Sequence, residues 1–282
     1  MAAPIGLIAG AGRLPELVAA SVEAAARKAV VIRLAGMADP ALERFEGREI
    51  QLGALRDVIA TLRAQGCVDL SFAGKVERPD FSSLGLDDLA MTHMPRLMPA
   101  ASRGDDALMR AVGDIFEAEG FNIVGLSDVA DDLICREGVV AGGERAKLHS
   151  NDMAKAFDVA GLVGEHDIGQ GCIVCAGLVL AVEAQEGTNA MLSRVKFLSE
   201  DVRGTPDRRR GVLVKRAKPG QDLRMDLPVV GLETFEHAAA AGLAGIGLEA
   251  HTSIIVDKDE LIQRANEIGM AIVGLGADGR IP

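Results

Sequence analysis

Over the first 130 residues, short apolar runs alternate with longer amphipathic ones. A fully apolar run predicts a buried strand at Ile5–Ala9, and the turn Gly10-Ala11-Gly12 follows it. Helical periodicity then runs over residues 14–27. Strands are predicted at 30–34, weakly at 50–53, at 68–73 and at 122–125. Helices are predicted at 55–65, ending at Gly66, and at 106–119, closed by Gly120; glycine is the usual residue just past a helix. Strands alternating with helices at this spacing indicate βαβ units, hence a Rossmann-like domain with a mostly parallel sheet.

The pattern breaks over 126–150, where Asp128, Asp131 and Asp132 precede a glycine-containing stretch from Gly138 to Gly143. A domain boundary is expected near residue 135, giving domains 1–135 and 136–282. In the second half, a helix is predicted at 151–163. Strands at 172–175 and 178–183 meet at Ala176-Gly177, a hairpin spacing. A helix at 188–198 follows, then short strands at Val212–Lys215, Val229–Val230, 246–250 and 253–256. A helix at 259–268 and a strand at 271–273 close the chain. The fold class is therefore α/β, with two α/β domains, the second of mixed order.

Charge narrows the partners. Thirty Lys and Arg stand against 41 Asp and Glu, a net charge of −11, which argues against nucleic-acid binding. With no Trp and no Tyr, base-stacking platforms are not expected. No apolar run reaches the length of a membrane span, and the first ten residues lack the basic start of a signal peptide. Cys67, Cys135, Cys172 and Cys175 are too few and too unevenly spaced for a disulfide framework, which fits a reducing cytosol.

Several segments could carry chemistry. Gly10 and Gly12 lie between a strand and a helix, where backbone amides can meet a phosphate; a tight turn without ligand is the alternative. The dinucleotide fingerprint is incomplete, because Pro15 takes the place of its third small residue and no acid ends the second strand. Lys75 and Arg78 follow the fourth strand, where ligands of open α/β sheets bind. Glu183 and Glu186 end an apolar strand, and Thr188 is an N-cap candidate for the next helix. From Arg203 to Arg224 there are eight basic residues and two acids, a local surplus that can attract a diphosphate or an anionic lipid surface. The run Arg208-Arg209-Arg210 reads better as a solvated loop. Asp226 stands just before Leu227-Pro228-Val229-Val230, a natural position for an Mg²⁺ ligand. Cys172 and Cys175 form a CxxC within a strand, where their side chains point to opposite faces and cannot converge on zinc. Met91, Met94 and Met98 fall at helical spacing, with core packing favoured over a lipid groove.

Taken together, five segments resemble the LpxI-type UDP-2,3-diacylglucosamine pyrophosphatases of lipid A synthesis. They are GLIAGAGRLP at 6–15, GKVERP at 74–79, DIGQ at 167–170, AVEAQEGTNAML at 181–192 and KPGQDLRMDLPVVG at 218–231. The last two are specific; the first two alone are common. Asn189 departs from the aspartate more usual at that position. The resemblance implies metal-dependent hydrolysis of UDP-2,3-diacylglucosamine to UMP and lipid X, with water attacking the sugar-side phosphorus. It further implies Mg²⁺ as the metal, the lipid held between two α/β domains, and work at the cytoplasmic face of the inner membrane, with no nucleic-acid partner; a homodimer is compatible. On this expectation Asp226 binds Mg²⁺, and Glu183 and Glu186 orient water or metal. Gln170 and Thr188 hydrogen-bond phosphate, while Lys75, Lys215 and Arg224 offset its charge. A non-catalytic nucleotide or lipid sensor is the alternative from another class; a nucleotide-dependent oxidoreductase is disfavoured by the missing acid.

Overall fold

The computed structural model describes residues 2–77, 80–81 and 84–282. The chain divides into two compact units. Unit 1 comprises the residues up to Asp132 together with a short distant segment, Asp222–Asp226; unit 2 comprises Leu133–Gln221 and Leu227–Pro282.

In unit 1 the strands are β1 (Ile5–Ala9), β2 (Ala29–Leu34), β3 (Gly47–Ile50), β4 (Asp69–Ala73) and β5 (Asn122–Ile123). They form one sheet in the order β3-β2-β1-β4-β5, parallel throughout. The expected weak third strand lies earlier than predicted, because Gly47–Ile50 is the stretch that pairs in register with Val31–Leu34. The helices are α1 (Leu14–Ala24), α2 (Leu55–Ala64), α3 (Asp88–Ala101), α4 (Asp105–Ala118) and the short α5 (Leu126–Val129). Alternation decides the layers. Ile8, Val30, Ile32, Leu70 and Phe72 pack with Val58 and Leu62 of α2 and Phe116 of α4. The edge of the Phe116 ring meets Phe72 at a centroid distance of 5.8 Å.

Helix α3 corrects one expectation. It contains Pro95 and Pro99 yet stays helical, started by Asp87, whose side chain accepts the Ala90 N–H at 2.7 Å. Its methionines are not core: Met91 is 61% and Met98 48% exposed.

Unit 2 holds β6 (Gly138–Ala141), α6 (Ser150–Glu165), β7 (Gly171–Cys175), β8 (Leu178–Val182), α7 (Gly187–Val195), β9 (Val212–Lys215), β10 (Val229–Val230), α8 (Leu232–Ala240), β11 (Gly245–Glu249), β12 (Ile254–Ile255), α9 (Lys258–Ile268) and β13 (Ala271–Leu275). A mixed sheet runs β6-β13-β11-β9-β7-β8, and β10 pairs separately with β12. β9, β11 and β13 are parallel, whereas β7 runs against both β9 and β8. The β7–β8 turn is Ala176-Gly177, both at positive φ, as a two-residue hairpin needs. Ile173, Leu213, Ile246 and Ile272 face α7, α8 and α9 through Leu192, Phe235 and Leu261. Cys172, Val174, Val214 and Val273 face α6 through Met153 and Phe157.

Candidate functional site

In unit 1 the strand order reverses between β1 and β4, where open α/β sheets place ligands. Here the two following loops bind each other. Ala11 N–H donates to Lys75 O at 2.8 Å and Lys75 N–H to Ala11 O at 2.9 Å. Gly10 N–H donates to Ala73 O at 2.9 Å. A Cβ on Gly10 would stand 2.5 Å from Lys75 O, and one on Gly74 2.7 Å from Ala11 O. The expected phosphate cradle is thus corrected at Gly10: the glycine lets two backbones touch, and its amide is engaged inside the fold. Gly12, at φ +93°, opens onto free space, and the Lys75 side chain is exposed. Arg78 lies outside the described residues.

The segment Asp222–Asp226 is a small turn. Met225 and Asp226 donate their amides to Asp222 O, and Arg224 N–H donates to Asp222 Oδ1. Met225 is buried in the unit 1 core beside Phe72 and Phe116. Arg224 donates to Asp222 through Nε and Nη2, and to Glu117 of α4 through Nη1 at 2.9 Å. These hydrogen bonds raise the Arg224 pKa and hold Asp222 below the usual carboxylate range. Arg224 therefore fastens the turn to α4 through the same guanidinium that was expected to offset phosphate charge. Asp226 ends the turn, exposed.

In unit 2 the strand directions gather several ends at one edge of the sheet. The start of β7 and the ends of β8, β9 and β11 lie together there, with Gly171 in register with Lys215 and Lys215 with Leu248. Glu183 follows β8 and is 6% exposed. Its Oε1 accepts the Thr188 hydroxyl at 2.6 Å, and its Oε2 is buried with no partner. Gln170, just before β7, likewise has a buried Oε1 with no partner, and its carbonyl accepts the Arg216 N–H at 3.1 Å. Lys215 is 5% exposed, and its ammonium donates to Val229 O at 3.3 Å.

One expectation fails at this edge. Thr188 is not the N-cap, since α7 begins at Gly187, and its hydroxyl proton is directed at Glu183 rather than outward. Glu186 is exposed and paired with Arg194 at 2.7 Å. Sequence reasoning missed Glu249, the last residue of β11, which accepts from Arg216 Nη2, Ala217 N–H and Thr252 Oγ1. Its signal was an acid ending an apolar strand, as at Glu183.

Among the described residues, no three His, Cys, Asp or Glu side chains stand as a ready metal cage. Mg²⁺ does not require one, because it takes one or two carboxylates and fills its shell with water and phosphate. The unpartnered oxygens of Glu183 and Gln170 are acceptors of the kind that suit a metal-bound or attacking water. Cys172 and Cys175 offer no alternative, being free and fully buried in β7, with only Cys172 in the cluster against α6.

Fold and site define a two-unit α/β protein with buried acceptor oxygens and a buried lysine at the strand ends of one sheet. The chain belongs to the LpxI family: its N-terminal domain model matches residues 4–133 and its C-terminal domain model residues 136–273. It is 47% identical over 276 residues to the UDP-2,3-diacylglucosamine pyrophosphatase LpxI of Caulobacter vibrioides, covering 98% of this chain and 99% of that protein.

Proposed function

We propose that this chain hydrolyses the diphosphate of UDP-2,3-diacylglucosamine to UMP and 2,3-diacylglucosamine 1-phosphate (lipid X). The observation that carries the reading is the near full-length identity to a relative named for that substrate. The buried polar cluster at the carboxyl edge of the unit 2 sheet supports it. Diphosphate hydrolysis is mainly positioning and charge stabilisation. Water attacks the sugar-side phosphorus, the bridging P–O bond breaks, and the bridging oxygen leaves with UMP.

In this reading Asp226 would hold Mg²⁺. Bound Mg²⁺ supplies polarisation of the phosphoryl oxygens. Glu183, oriented by Thr188, accepts a hydrogen bond from the attacking water through Oε2, and Gln170 Oε1 is a second acceptor. Lys215 provides fixed positive charge. In this reading the enzyme works at the cytoplasmic face of the inner membrane, which suits a substrate that joins a nucleotide to two acyl chains. No helix among the described residues is long and apolar enough to cross a membrane. The −11 charge disfavours wholesale adsorption to an anionic leaflet.

Hydrolysis in ¹⁸O-labelled water, with Mg²⁺ and with EDTA, tests the proposal. Label in lipid X, with turnover abolished by EDTA, is the expected result. Label in UMP reverses the attack site, turnover in EDTA removes the metal, and absence of turnover overturns the activity.

A further inference from the structure

Glu249 carries a charge that the fold alone does not call for. It ends β11, a strand buried within the sheet, and is itself half-buried. A carboxylate taken from water is costly unless donors surround it. Here they come from two loops. Oε2 accepts the Ala217 N–H at 3.0 Å from the loop after β9 and the Thr252 hydroxyl at 2.9 Å from the loop after β11. Oε1 accepts Arg216 Nη2 at 3.4 Å. Arg216 is itself held, its guanidinium carbon over the Phe157 ring of α6 and 4.0 Å from the ring centroid.

Ala217 follows Arg216 and Lys215 directly, and Arg216 N–H reaches the Gln170 carbonyl. A clamp on Ala217 therefore fixes the end of β9, the backbone of Gln170 and the root of the chain leading to Asp226. The strand pairing stops at Lys215, so nothing in the ladder holds Ala217. We propose that Glu249 is a positioning residue for the diphosphate hydrolysis, clamping the loop after β9 so that Lys215 and Gln170 keep their working geometry. The inference rests on the function proposed above.

The test compares Glu249→Ala, Glu249→Gln and Thr252→Val in the full chain with UDP-2,3-diacylglucosamine and Mg²⁺. It reads kcat, KM, Tm and hydrogen exchange at the Ala217 amide. In Glu249→Ala the amide exchanges at least about tenfold faster and kcat falls about 10- to 100-fold, the scale expected for misplaced catalytic groups. KM rises by a smaller factor than kcat falls, because the clamp itself touches no substrate and acts only through Lys215 and Gln170. Glu249→Gln keeps an oxygen for Ala217 and recovers most of kcat. Thr252→Val, the milder variant where the alanine change prevents folding, lowers kcat about three- to tenfold.

Unchanged kcat in Glu249→Ala or Thr252→Val overturns the proposal. So does a loss in Glu249→Ala that glutamine fails to recover and that tracks a general fall in protection. A wild-type chain without turnover overturns the proposed function and the catalytic meaning of the clamp together, while Ala217 exchange still reads whether the clamp itself exists.

Discussion

Glu183 shows what a single side chain does at this edge. One oxygen is tied to Thr188 and the other is buried with no partner, so the carboxylate is oriented before any ligand arrives. Glu183→Gln keeps the size and removes the charge. Its kcat should fall at least about 100-fold, the ordinary contribution of a positioned acid or base; turnover within twofold of wild type would end the assignment. Asp222 is read by pH instead. Arg224 holds its folded pKa below the unfolded value of about 3.9. Its contribution to stability is therefore complete above about pH 5 and is lost as the pH falls through the folded value. Asp222→Asn should be less stable than wild type at pH 6, with the gap in Tm closing towards pH 3; a constant gap would refute the linkage. Burial pushes the thiols of Cys67 and Cys135 up to about 11 and of Cys172 up to about 12. Native protein at pH 8 should resist thiol alkylation at these three, and unfolded protein should label fully. The sequence made Glu183 and Lys215 legible, because a charged residue ending an apolar strand is conspicuous. The partners of Thr188 and Arg224 were not legible, because a hydroxyl or guanidinium chooses its acceptor only when the chain has folded.

At the scale of elements, β1, β2 and β4 were readable because they are short, largely apolar and almost wholly buried, whereas β3, with Arg48 and Glu49 exposed, was placed three residues late. β6 was not readable: only four residues long and partly exposed, it lies at the sheet edge and takes its conformation from β13. The two prolines of α3 hid a helix that Asp87 starts and α4 supports. The Gly10 turn was visible, yet its purpose depended on a loop more than sixty residues away. Gly10→Ala would press a methyl group onto the Lys75 carbonyl, and backbone cannot yield as a flexible side chain does. It should destabilise unit 1 by about 1–3 kcal/mol, the usual cost of overpacking. Chemical denaturation measures this, and a change below about 0.5 kcal/mol would show that the two loops separate freely.

At the scale of the whole molecule, the two-domain order could be read from where the sequence pattern breaks. The return of five residues to unit 1 could not. Nothing local marks Asp222–Asp226 as belonging with β1–β5, since its texture is that of the polar loop around it. What carries it there is one buried methionine and one arginine bound to Glu117. Burying such a side chain is worth about 1.5–3 kcal/mol, a large share of a small domain's net stability. Unit 1 is therefore incomplete when the chain is cut at residue 132. A fragment of residues 2–132 opens the place of Met225 beside Phe72 and Phe116 to water. Its β1 and β4 amides should exchange faster than those of the intact chain. Appending residues 221–227 through a flexible linker should restore most of the protection, and a Met225→Ala version of that fusion should not. If the bare fragment matched the intact chain, the segment would be a passenger on unit 1. If the fusion restores protection only with Met225 in place, the turn bearing Asp226 is anchored by the unit 1 core.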